Sequence, residues 1–130
     1  MKSIIWVISE IILVFVLLSM PGSEFSDPTS WIAMIMSLPF ADKMIHVALF
    51  GSLAFSIFLH FELSLQPSFK TIRAKALALL FCVLYGIGME YYQKYYVPSR
   101  GFEVKDMLAD AIGALLALPL FNSIKYKLIK

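Results

Sequence analysis

Cysteine occurs once, at Cys82, which excludes an internal disulfide and any cysteine-based metal centre. It lies among Leu80, Phe81, Val83 and Leu84, the surroundings of a small buried filler. Charge is scarce as well. Only 15% of the 130 residues are charged, there is no basic run, and a formal net charge of +2 offers nothing for nucleic acid to bind. There is no internal repeat, no low-complexity segment, no phosphate-cradling glycine loop and no serine placed with a histidine as a nucleophile.

What is present is apolar. Hydrophobic residues make up 60% of the chain and fall into four long blocks, the composition of a membrane protein. The expected fold is all-α: one domain over residues 1–130, a four-helix membrane bundle with spans near 4–20, 43–61, 74–92 and 106–122. The first block follows Lys2, but its apolar part is long for a secretory signal, and SMPGSE offers no small-x-small cleavage site. It reads as a retained helix with Glu10 near its centre, facing a polar interior or packed as a neutral acid. Between Pro21 and Asp42 the chain leaves the hydrocarbon, and Asp27-Pro28 reads as the start of a helix. Trp31 to Phe40 is too short to span. Trp31, Met34, Ile35 and Leu38 share one face of an interfacial helix, either an anchor or a lid.

The second span opens with DKMIH, which sets Asp42 and His46 four residues apart on one helical face, with Lys43 three before His46. His60, at its other end, reads as a lone interfacial side chain. The third span stays apolar until Glu90 and Gln93, with Gly86 and Gly88 available for close helix approach and Tyr91, Tyr92, Tyr95 and Tyr96 as an aromatic belt. The fourth carries Asp106, Asp110, Gly113 and Ala117 along one stripe. Lys2, Lys70, Arg73, Lys75, Lys125, Lys127 and Lys130 fall on one side of the membrane, seven basic residues against Lys43, Lys94, Arg100 and Lys105 on the other. The positive-inside rule then puts both termini in the cytoplasm. It also brings Asp42, Lys43, His46, Glu90, Gln93, Arg100, Asp106 and Asp110 together in the outer leaflet, with His46 and Asp110 each about 6 Å deeper than Asp42 and Asp106. Charged groups inside apolar runs mark a functional interior.

These residues also carry a resemblance. DKMIH heading one span, EYYQ closing the next, then PSR and Asp106–Asp110–Gly113 resemble the VanZ-like family, small bacterial membrane proteins named for a teicoplanin-resistance protein. The similarity covers about Ala41 to Leu118. The family's pattern usually has asparagine where this chain has Asp110, so a second carboxylate replaces a neutral amide. The resemblance implies an integral protein of the bacterial cytoplasmic membrane and cell envelope, linked to glycopeptide resistance; it supplies no biochemical activity.

Three functional classes stay open. The first is a non-catalytic protein that binds an anionic lipid-linked or cell-wall ligand, with Arg100 as a planar fork for phosphate or carboxylate and Lys43 and His46 in support. The second is a membrane hydrolase or transferase using His46, Glu90 and Asp110 as acid–base groups. The third is an ion or proton conduit, which needs Glu10, Glu90 and Asp110 on one path. Against all three, the carboxylates and Lys43, His46 and Arg100 neutralise one another between helices. The first class is favoured, with membrane lipid, a lipid-linked wall precursor or a glycopeptide as partner, and with no cofactor. One histidine among oxygen ligands is a weak metal signal, so no metal is expected. The oligomeric state is open.

Overall fold

The computed structural model describes residues 2–25, 29, 31–64 and 72–128. Asp27-Pro28, Lys70 and Lys130 lie outside the described residues. The chain is all-α: α1 (Lys2–Leu18), a 3-10 turn (Gly22–Phe25), α2 (Trp31–Met36), α3 (Ala41–Ser64), α4 (Ile72–Tyr96) and α5 (Val104–Leu128). Among the described residues there is no strand. The helices α3, α4 and α5 are long and apolar enough to cross a membrane. At 17 residues, α1 stands at the short edge of the spanning range.

The long helices outrun the apolar blocks that announce them, because hydrocarbon sets the length of the greasy run and not of the helix. Thus α4 continues through Gln93 to Tyr96, and α5 begins at Val104, before its first aspartate. By contrast α1 stops at Leu18, ahead of Pro21, with the Ser19 hydroxyl donating back to the Phe15 carbonyl at 2.5 Å. The interfacial helix is shorter than Trp31–Phe40: α2 ends at Met36, and Phe40, at φ 63°, turns the chain into α3. Trp31, Met34, Ile35 and Leu38 are all exposed, as an interfacial face requires.

Each long helix turns a narrow seam inward and bulky residues outward. On α4 the buried positions include Ala74, Ala78, Cys82, Gly86 and Glu90, one every fourth residue, while Leu77, Leu80, Phe81 and Leu84 are exposed. Large exposed apolar side chains round a small-residue seam are what lipid-facing helices need, since lipid solvates the outside and close packing holds the inside. α3 is the central helix; it meets α1, α4 and α5, and its contact with α5 is the most extensive in the molecule.

That contact depends on two glycines. A Cβ on Gly113 would lie 2.2 Å from the Val47 carbonyl oxygen, and one on Gly51 would lie 3.2 Å from the Gly113 carbonyl oxygen. Below this crossing Phe50, Leu53, Phe58 and Phe121 are fully buried, with Phe121 edge-on to Phe55 at 5.5 Å. Gly88, expected to share the packing role of Gly86, has nothing within 4 Å of its would-be Cβ.

Gly113→Ala should therefore force α3 and α5 apart and cost about 1–3 kcal/mol or more. Gly88→Ala should be neutral or stabilise by up to about 1 kcal/mol, since alanine is the better helix former. Thermal unfolding of both variants in one detergent checks the pair; equal losses would remove the α3–α5 crossing from this account.

Candidate functional site

The start of α3, the end of α4 and the start of α5 lie at one end of the bundle, and Asp42, Lys43, His46, Glu90, Gln93, Asp106 and Asp110 are there, with Arg100 on the connection between α4 and α5. His46, Glu90, Gln93, Asp106 and Asp110 are buried, none more than 3% exposed. Helical spacing sets their depth: Asp42 and His46 are one turn apart on α3, Asp106 and Asp110 one turn apart on α5.

The deepest contact joins all three helices. His46 Nδ1 and Asp110 Oδ1 share a hydrogen bond of 2.8 Å. The Asp110 carboxyl in turn leans on α4 where Gly86 has no side chain: a Cβ there would lie 2.6 Å from Oδ2. Gly86 thus does more than allow helix approach; it makes the space that the carboxylate fills. One turn nearer the surface, Lys43 lies 2.6 Å from Asp106, 2.6 Å from Glu103 and 3.1 Å from Asp42. Arg100, on the α4–α5 connection, reaches Asp42 Oδ1 at 3.3 Å. The mutual neutralisation weighed from the sequence is present at these pairs.

Two residues stand apart from that pairing. Glu90 meets no cation among the described residues; its Oε2 accepts the Glu103 backbone N–H at 2.9 Å, at the N-terminal end of α5, where a carboxylate suits the helix dipole. Gln93 donates to the Leu18 carbonyl at 2.9 Å and so satisfies the end of α1. Its role is to tie α1 to α4. Among the described residues, the buried atoms His46 Nε2, Glu90 Oε1 and Asp110 Oδ2 meet no hydrogen-bond partner.

Glu103 was not among the residues marked in the sequence. Its position three residues before Asp106 puts both on the face that Lys43 meets, and that spacing was the available signal. His60 is not alone, as the sequence implied: it bonds Ser3 at 3.0 Å and Ser64 at 3.3 Å, at the opposite end of the bundle. Glu10 accepts from Ser52 at 3.2 Å on the side of the bundle, six residues along α3 from His46, and joins the cluster nowhere.

A pocket of about 260 Å³ lies beside Arg100. Leu17 and Leu18 of α1, Trp31 and Ile35 of α2, and Ile45 of α3 wall it, and Asp42 and Arg100 are its charged edge. The short helix α2 is thus one wall of a pocket.

Apolar surfaces round a buried charged end define a helical membrane protein with a polar site built into its helix termini. The chain belongs to the family described as VanZ/LLP1, which matches residues 3–125. Among curated proteins and among solved structures nothing matches it.

The His46–Asp110 bond can be measured directly. Removing one partner strands the other in a buried position, so His46→Ala or Asp110→Ala should cost about 3–5 kcal/mol. The double replacement His46→Ala with Asp110→Ala should cost less than the sum of the two single losses. Additive losses would mean that the pair is not coupled.

Proposed function

We propose that this membrane protein binds an anionic lipid-linked or cell-wall ligand at the outer leaflet and thereby lowers sensitivity to a lipid-anchored glycopeptide such as teicoplanin. The pocket beside Arg100 carries the reading. Its walls are apolar and its edge holds a guanidinium, the combination an amphiphile with an anionic head requires. Arg100 already grips one carboxylate, that of Asp42, and the same planar fork takes phosphate or carboxylate oxygens from a ligand. Trp31 and Ile35 would cover the hydrocarbon part. Family membership supports the link to glycopeptides, and the lysine and arginine distribution supports a bacterial cytoplasmic membrane with both termini inside.

A membrane hydrolase or transferase is the second reading, and one observation favours it. His46 is a base oriented by Asp110 with Nε2 left free, the arrangement that general-base catalysis uses. The conduit reading has less support. Glu10 bonds Ser52 rather than Glu90 or Asp110, and Leu49, Phe50 and Leu53 are buried at that level of α3.

Two experiments test this. In a Cys82→Ser background, Ser99→Cys should react with an impermeant maleimide in intact cells and Lys127→Cys should not; the reverse pattern would move the pocket to the cytoplasmic side. In a sensitive host, wild type should protect against teicoplanin more than against vancomycin, which lacks the acyl chain. Arg100→Lys at equal expression should protect less, although the charge is kept. Equal protection by both proteins would remove Arg100 from the site, and turnover of lipid-linked substrates lost in Glu90→Gln would favour the enzyme.

A further inference from the structure

The buried end of the bundle brings together donors of the types a metal centre uses. One ligand atom each from Asp42, His46 and Asp106 lie within 4.8 Å of one another. His46 Nε2 has no hydrogen-bond partner, belongs to a side chain 1% exposed, and faces Asp106 Oδ2 at 3.9 Å. Its other nitrogen is fixed, since an ionised carboxylate at Asp110 Oδ1 can only accept. With its proton held on Nδ1, the ring would take a metal through Nε2 once that nitrogen is deprotonated, on the side that faces Asp106. Metal-ligating histidines are held by a carboxylate on the far nitrogen in this way, which fixes the tautomer and raises the ring's basicity.

We propose that Asp42, His46 and Asp106 form a site for one divalent transition-metal ion, with Asp110 positioning the histidine. One imidazole with two carboxylates suits Mn²⁺, Fe²⁺ or Zn²⁺ rather than Mg²⁺ or Ca²⁺, which take oxygen ligands. The charge balance agrees. Five carboxylates, those of Asp42, Glu90, Glu103, Asp106 and Asp110, meet here with two fixed cations, Lys43 and Arg100. Lys43 is the competitor: its ammonium holds Asp106 through Oδ1, while Oδ2 is the oxygen turned to His46. This inference does not rest on the anionic-ligand reading.

The test uses tag-free full-length protein in detergent, titrated with Mn²⁺ alone. Wild type should bind one Mn²⁺ per chain, and pulsed electron paramagnetic resonance should show coupling to an imidazole ¹⁴N. The chain has two histidines, so the coupling should survive in His60→Gln and vanish in His46→Gln. Should His46→Gln fail to fold, the wild-type and His60→Gln spectra decide the matter alone. Asp110→Leu should weaken binding about 10–100-fold, as loss of a histidine-orienting partner does. Lys43→Met should tighten it about tenfold, because a positive charge beside the ion is gone. No bound Mn²⁺ at millimolar concentration, coupling that disappears in His60→Gln, or unchanged affinity in Lys43→Met would each overturn the proposal. Neither wall precursor nor glycopeptide enters the assay, so its failure and that of the anionic-ligand reading are separate results.

Discussion

Asp110 fits against α4 only because Gly86 carries no side chain, and the same carboxylate holds the ring of His46 on α3. That one residue fixes the register of three helices. A buried carboxylate cannot be left without a partner, and a buried imidazole cannot lose its own, so neither helix can slide by a residue without stranding both. The close crossing of α3 and α5 at Val47 and Gly113, one turn further in, permits the approach that the pair needs. Packing of small residues and the polar bond are thus one constraint, which is how membrane helices associate when hydrophobicity distinguishes lipid from partner so poorly.

Charge is layered outward from that bond. Side-chain exposure rises from 1% at Asp110 through 5% at Asp106 and 24% at Lys43 to 53% at Glu103. The inner layer is where neighbours cost or stabilise most, because little water screens them. Lys43 binds the layers together, one ammonium serving three carboxylates from two segments of chain. Glu90 does the same by a different means, spending its carboxylate on the backbone that opens α5.

Helical spacing made the long helices and the meeting of their polar ends legible in the sequence. Asp42 with His46 and Asp106 with Asp110 had to lie on single faces, and alternating spans had to bring those faces to one end. What spacing could not convey was partnership. Gly86 and Gly88 look alike in the chain, yet one receives a carboxylate and the other faces open space. Gln93 looks like a site residue, and its amide instead satisfies the Leu18 carbonyl of a helix 75 positions away. Glu103 sits in a polar hinge where only its spacing to Asp106 marks it, and its importance lies in a backbone N–H as much as in its side chain. The entry into α3 turns on the positive φ of Phe40, a conformation its residue type does not announce.

The same layering divides the chemistry. A cluster with more carboxylate than fixed cation repels an anion from its interior, so a ligand headgroup has favourable ground only at the edge, where Arg100 and the apolar pocket meet. The interior, with an unpartnered imidazole nitrogen turned to Asp106, has the charge and the donors for a cation instead. Asp42 belongs to both: it holds Arg100 on one side and is one turn from His46 on the other. On this reading the pocket and the buried cluster are coupled through a single carboxylate. An anion that draws Arg100 away would leave Asp42 with one cation fewer, and a cation bound beside His46 would compete for Asp42 and loosen its grip on Arg100. Occupation of either position then favours the other, by charge alone and without any movement of the helices.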